Sequence, residues 1–146
     1  MNSIVKNKIA FDEYEILEKH ISGIILQGSE VKSIRASNVS IKESYVFINN
    51  GEIFIKGMHI GLYSEGGTHN NHIPLRDRKL LMKKKEIIKL YEKVSQKGLT
   101  LVPLEILISS TGFIKIEIGL GRGKNTRDKR QSEKLKDLNR ELKRNI

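Results

Sequence analysis

The 146-residue chain has no cysteine and no tryptophan, two prolines, and eight aromatic residues divided equally between tyrosine and phenylalanine. Without cysteine there is no disulfide frame and no thiolate metal site, a composition that fits a reducing compartment. No uninterrupted apolar run approaches the roughly 20 residues of a membrane span, and residues 1–12 mix Asn2, Lys6, Asn7 and Lys8 with short apolar pairs. A soluble, cytoplasmic protein is expected. No Ser or Thr set beside a His and a carboxylate, and no carboxylate pair in an apolar setting, stands out as a catalytic signature. No catalytic residue, cofactor or metal site is therefore assigned. His59, His69 and His72 come nearest to a metal set, but without cysteine the fourth ligand would have to be a carboxylate. His69 and His72 read better as exposed loop histidines that stack on RNA or hydrogen-bond to it.

What the chain does have is positive charge, 27 Lys/Arg against 17 Asp/Glu for a net +10. It is concentrated in two blocks. Residues 76–97 carry nine basic and three acidic groups, and residues 121–146 carry ten and four, whereas residues 1–75 and 98–120 are each close to neutral. Two compact basic blocks on a balanced chain point to a polyanion partner, nucleic acid first. A membrane surface fits less well, because the basic terminus lacks Trp or Phe anchors.

The segment Gly121–Ile146 holds few large apolar residues, of which Leu135, Leu138 and Leu142 fall at i, i+3 and i+7 on one helical stripe. It reads as a basic tail, unstructured when free and helical against a partner, the alternative being a solvated charged terminus. The chain therefore divides into a folded unit over residues 1–120 and a tail over residues 121–146. Gly119-Leu-Gly-Arg-Gly-Lys124 fails the Walker pattern and reads as a flexible tether.

Within the folded unit, residues 14–27 are expected to form a bent strand with a bulge at Gly23, and Ser29 to cap a short helix over residues 30–36. Residues 44–60 form a hairpin turning at Asn50-Gly51, the pair suited to a type I′ turn. Residues 63–77 form an exposed loop rich in Gly, Asn and His, flanked by Arg76, Arg78 and Lys79, whose charges suit phosphate. Residues 83–97 read as a helix with Ile87, Leu90, Tyr91 and Val94 inward and Gly98 as its stop. A second hairpin joins residues 99–109 to a strand ending by Leu120, with Pro103 at an edge or bulge. The architecture expected is mainly β, a small antiparallel barrel of OB type with short flanking helices. OB barrels also bind single strands by stacking, so a general single-stranded RNA binder is the alternative function. The expectation that the strand aromatics turn into the core weighs against it. A purely protein-binding, ribosome-associated factor is a third reading.

The ordered segments Gly28-Ser-Glu-Val-Lys-Ser-Ile-Arg-Ala36, Ser44-Tyr-Val, Asn50-Gly-Glu52, Met58-His-Ile60, Asn71-His72, Arg78-Lys-Leu-Leu81, Lys85-Glu-Ile87, Gly98-Leu-Thr-Leu-Val-Pro-Leu104, Gly123-Lys124 and Asp128-Lys-Arg130 carry a resemblance over almost the whole chain. In these the sequence resembles the SsrA-binding protein family, also called small protein B. The resemblance implies an OB-like barrel with a disordered tail, binding of transfer-messenger RNA (tmRNA), and rescue of ribosomes stalled on truncated messages. It implies RNA contacts at Glu30, Lys32, Arg35, Asn71, His72, Arg76, Arg78, Lys79 and Lys124. It also implies tail contacts at the small-subunit decoding region and its ribosomal RNA by Arg127, Asp128, Lys129, Arg130, Lys134, Lys136, Leu138 and Arg140. Elongation factor Tu, bound to aminoacylated tmRNA, is a further implied partner. The sequence departs from the family pattern at Ser37, where glycine is usual, at Asp77, where proline is usual, and at Arg127, where an aromatic residue or His is usual.

Overall fold

The structure is a computed structural model and describes residues 1–63 and 71–124. Its elements run in chain order as β1 (Asn2–Lys6), α1 (Lys8–Glu13), β2 (Tyr14–Ile24), α2 (Gly28–Arg35), β3 (Val39–Ser40), β4 (Tyr45–Asn49), β5 (Glu52–Lys56), β6 (His59–Ile60), β7 (Arg78–Leu81), α3 (Lys84–Lys97), β8 (Thr100–Ile108) and β9 (Ile114–Gly123). Seven strands make one antiparallel sheet in the order β1-β8-β9-β2-β7-β5-β4, and β3 pairs with β6 in a separate ribbon. The described residues are thus mainly β, with three short helices among them. The end strands β1 and β4 are not paired with each other among the described residues.

Alternation sets the inner face. Ile53 and Ile55 of β5, Leu80 of β7, Ile106 of β8 and Ile116, Ile118 and Leu120 of β9 are at most 1% exposed, and all belong to one apolar cluster. Truncating any one of these isoleucines to alanine costs about 2–5 kcal/mol. The β4–β5 hairpin turns where expected. Asn50 and Gly51 have φ of 52° and 76°, the two positive values that a type I′ turn needs. Asn49 faces Glu52 across it. Pro103 lies at a register shift of β8, so its missing N–H falls at a bulge although β8 is an interior strand.

Several local expectations are corrected. β2 is bulged between Ile16 and Glu18 rather than at Gly23. Residues 2–13, which have no strong local signal, form β1 and α1. β1 is held by pairing with β8, and α1 by Asn7, whose side-chain amide accepts from Ala10 N–H at 3.4 Å and donates to the Pro103 carbonyl at 3.0 Å. α3 buries Ile87 and Leu90, but Tyr91 is 52% exposed rather than inward. The glycines expected to form a tether belong to β9, which continues to Gly123 and pairs along β2 up to Tyr14. A Cβ at Gly119 would lie 2.8 Å from Leu104 Cδ1, so this glycine serves close packing, not flexibility. The folded unit therefore reaches Lys124, whose N–H donates to the Glu13 carbonyl at 3.0 Å.

Candidate nucleic-acid interface

α2 begins at a cap made by its own sequence. The Gln27 N–H donates to Glu30 Oε1 at 2.8 Å, so Gln27 rather than Ser29 is the N-cap, with Glu30 as the acidic residue of the first turn. That frees Ser29 for another partner. His72 Nδ1 lies 2.8 Å from Ser29 Oγ and its Nε2 lies 2.9 Å from the Ile60 carbonyl oxygen. A carbonyl oxygen accepts, so Nε2 carries the hydrogen and Nδ1 accepts from the hydroxyl. His72 is 5% exposed. Both its nitrogens are used to fasten the 71–77 loop to α2 and β6.

Charge beneath α2 completes the attachment. Glu30, fully buried, accepts from Arg76 Nη2 at 2.5 Å through Oε1 and from Arg78 Nε through Oε2. Arg78, also fully buried, donates through Nη1 to the Met58 carbonyl at 2.6 Å and through Nη2 to the Pro74 carbonyl at 3.0 Å. One guanidinium thus ties α2, the chain after β5 and the 71–77 loop together, which its fixed fork of donors suits it to do. Burial pushes the Glu30 carboxyl up, but the hydrogen bonds from Arg76, Gln27 and Arg78 outweigh it and hold the group below the usual carboxylate range. Burial lowers Arg78, opposed by Glu30, and the guanidinium stays charged.

Three of the residues expected to touch RNA are therefore inside. Glu30, His72 and Arg78 have side chains committed to one another's surroundings, with no surface to offer a phosphate. For Arg78 the reason is alternation in β7, which turns it in and Lys79 out. Lys79 Nζ pairs instead with Glu52 at 2.8 Å, on the outer face of the sheet and away from α2. Lys124 is exposed, and its Nζ donates to the Phe11 carbonyl at 2.8 Å, near the end of α1. What remains together beside α2 is a compact polar surface. Lys32 is exposed and stands 5.3 Å over the Tyr63 ring, while Arg35 reaches the Gly112 carbonyl at 3.1 Å. Arg76 keeps 27% of its side chain exposed, and Asn71 braces Tyr63 through a pair of hydrogen bonds of 2.8 and 2.9 Å. His69 and the tail residues Arg127, Asp128, Lys129, Arg130, Lys134, Lys136, Leu138 and Arg140 lie outside the described residues.

The strand aromatics also differ from expectation. Phe47 and Phe54 alternate with the buried Val46, Ile53 and Ile55, and so stand on the outer face. Their position was readable as alternation, but which parity faces the core was not.

No helix among the described residues is long and apolar enough to cross a membrane, and no group of three or more metal-binding side chains occurs among them. A family model described as SmpB protein matches residues 4–146. An SsrA-binding protein of Ligilactobacillus salivarius is 43% identical over 99% of this chain and 92% of its own length. One from Bacillus velezensis is 50% identical over 95% and 88%, and one from Dechloromonas aromatica 51% over 97% and 95%. A solved chain from work described as "tmRNA-SmpB: a journey to the center of the bacterial ribosome" superposes with a TM-score of 0.69 at 43% identity, covering 84% of this chain and 85% of that one.

Proposed function

Because the chain belongs to the SmpB protein family, we propose that it binds tmRNA and brings it to stalled ribosomes for trans-translation. The observation that carries this reading is the surface beside α2, where exposed Lys32 and Arg35 stand with the outer part of Arg76 on a framework fixed by the buried Glu30–Arg78 pair. A folded RNA presents its backbone and shape rather than its base edges, since the A-form major groove is too narrow for side chains. A preset array of cations on a rigid helix suits that mode. The roles of the side chains then divide. Lys32, Arg35, Asn71 and Arg76 meet the RNA, while Glu30, His72 and Arg78 hold them in place. Lys79 and Lys124 supply further positive charge at a distance from α2.

The tail follows the folded unit after Lys124. In this proposal Arg127, Asp128, Lys129, Arg130, Lys134, Lys136, Leu138 and Arg140 occupy the decoding region of the small subunit, where messenger RNA is missing. Elongation factor Tu arrives with the aminoacylated tmRNA. The protein works in the cytoplasm by binding alone, with no catalytic step of its own.

Competition binding among tmRNA, transfer RNA and poly-uridine tests the assignment. Preference for tmRNA, with affinity falling by about 0.7–0.9 in log–log salt slope per phosphate contact, is expected. Equal binding of poly-uridine would favour the single-strand reading instead. A chain ending at Lys124 should bind tmRNA as the full chain does and fail to support peptidyl transfer to tmRNA on stalled ribosomes. Full-rate rescue by that chain would remove the tail from the mechanism.

A further inference from the structure

The outer face of β4, β5 and β7 carries side chains that the surface beside α2 does not use. Cross-strand register places Tyr45 opposite Lys56, Phe47 opposite Phe54, and Phe54 opposite Lys79. Phe47 and Phe54 are stacked, with centroids 5.4 Å apart and planes at 23°, and Tyr45 lies 6.0 Å from Phe47 at 46°. The ladder therefore runs across two strands and ends in a ring that is 49% exposed. Lysines stand at both ends, and the acid in this register, Glu52, is already paired with Lys79.

We propose that this face is a second RNA-contact surface that takes unpaired nucleotides, bases stacking on Tyr45 and the outer edge of the Phe47–Phe54 pair while phosphates meet Lys56 and, by displacing Glu52 from an exposed ion pair, Lys79. The proposal deepens the RNA-binding reading and rests on it for the class of ligand. Hairpin stability accounts for the Phe47–Phe54 pair alone. It does not account for Tyr45 continuing the ladder into solvent next to Lys56. Aromatic rings flanked by cations are the chemistry of single-strand binding, since every base has a face to stack and a phosphate to neutralise. Lysines at both ends of so narrow an apolar strip disfavour an apolar protein partner. Because β7 turns Arg78 in and Lys79 out, this surface and the one beside α2 are separately placed, and one protein has room to hold a folded RNA and an unpaired stretch.

The test uses the full chain with two probes, tmRNA and a fluorescein-labelled oligouridine of about ten nucleotides. Loss of one stacked base weakens binding by roughly 5- to 150-fold, so Tyr45→Ala should weaken oligouridine binding within that range, and Tyr45→Phe, which keeps the ring, should restore it. Phe54→Thr, which keeps strand propensity, should act in the same direction. 4-Thiouridine crosslinks should map to residues 45–56. Lys32→Ala combined with Arg35→Ala should lower tmRNA affinity and leave oligouridine binding unchanged. The proposal is wrong if wild-type protein ignores oligouridine, if Tyr45→Ala binds it as wild type does at an unchanged melting temperature, or if crosslinks fall only on residues 125–146. A protein that binds oligouridine through residues 45–56 but shows no preference for tmRNA would overturn the proposed function and leave this surface standing.

Discussion

α2 and α3 are both cationic helices packed against the same apolar cluster, and they are attached by opposite means. α3 is held by an apolar stripe, with Ile87 and Leu90 buried and Val94 partly so, while its lysines other than Lys93 spread into solvent. α2 buries Ile34 as well, but the residue at its start is a carboxylate, Glu30, closed over by two arginines from a segment more than 40 residues away. An apolar attachment is spread over many weak contacts. An ionic one depends on a few charged groups, here Glu30 with Arg76 and Arg78, and on the protonation state of the carboxylate. The helix that presents Lys32 and Arg35 is thus the one whose placement a single substitution or a drop in pH should disturb.

Breaking the ionic attachment should have the largest effect. Arg78→Ala removes the fully buried one of Glu30's two arginines and strips the Met58 and Pro74 carbonyls of its N–H donors, and should cost about 3–5 kcal/mol, read from chemical denaturation. Leu90→Ala in α3 should cost about 2–5 kcal/mol by cavity formation. The two should part in their consequences for binding. In stabilising conditions where both variants stay folded, Arg78→Ala should still weaken tmRNA binding because α2 and the 71–77 loop come loose, and Leu90→Ala should not. Equal binding by the two would mean that Arg78 does not position the surface.

Acid should sharpen the same contrast. The Glu30 carboxyl is held below its ordinary 4.5 in the folded chain. A depressed folded value means that the unfolded state takes up the proton first, so this stabilisation is fully present above about 4.5 and is lost as pH falls through the folded value. Denaturation followed from pH 6 to pH 3 should therefore show stability falling below about pH 4.5. In a Glu30→Leu, Arg78→Met double variant the fall should be shallower, and in Leu90→Ala it should match wild type. An unaltered acid limb in the double variant would show that other carboxylates set it.

A smaller effect is expected at the ends of the two helices. α3 stops at Gly98, with φ of 66°, the left-handed value that glycine adopts without penalty. α2 stops in the same way at Ser37, where φ is 62° and the bonds Asn38 N–H to the Ser33 carbonyl and Ser37 N–H to the Ile34 carbonyl, both 2.9 Å, form a Schellman cap. A side chain in that conformation costs roughly 1–2 kcal/mol, partly offset in the unfolded chain, where glycine is the more flexible residue. Ser37→Gly should raise stability by about 1 kcal/mol and Gly98→Ser should lower it by a similar amount. Thermal unfolding of the two variants checks the sign.

Local signals made α3, its Gly98 stop and the Asn50-Gly51 hairpin legible, because each is specified by residues adjacent in sequence. β1 and α1 were not legible, since five- and six-residue elements depend on distant partners such as β8 and the Pro103 carbonyl. Gly119 and Gly121 read as flexible because glycine usually is, whereas here a Cβ at Gly119 would collide with Leu104 and one at Gly121 would crowd Tyr14 and the Glu15 carbonyl. Charge was visible in the sequence, but its direction was not. Arg76, Arg78 and Lys79 form one basic cluster on paper, and the structure sends them to a partly buried bridge, a buried fork and the opposite face. The pairing of Glu30 with Arg78 spans 48 residues, and only the opposite signs hinted at it.

The smallest effect should come from Lys93, the lysine of α3 that makes an ion pair among the described residues. Lys93 Nζ meets Glu18 Oε2 at 2.5 Å, with about a third of each side chain exposed. The hydrogen bond from Lys93 lowers the Glu18 carboxyl, as the arginines lower Glu30. The resemblance ends at the solvent. Water solvates both partners when the bridge is cut, leaving no uncompensated buried charge, and salt screens what attraction remains. Lys93→Ala should therefore cost no more than about 1 kcal/mol and less as salt rises, because Ile87, Leu90 and Val94 still hold the helix. If it destabilised the chain as much as Arg78→Ala, α3 too would be an ionically fastened helix, and the distinction between the two attachments would be lost.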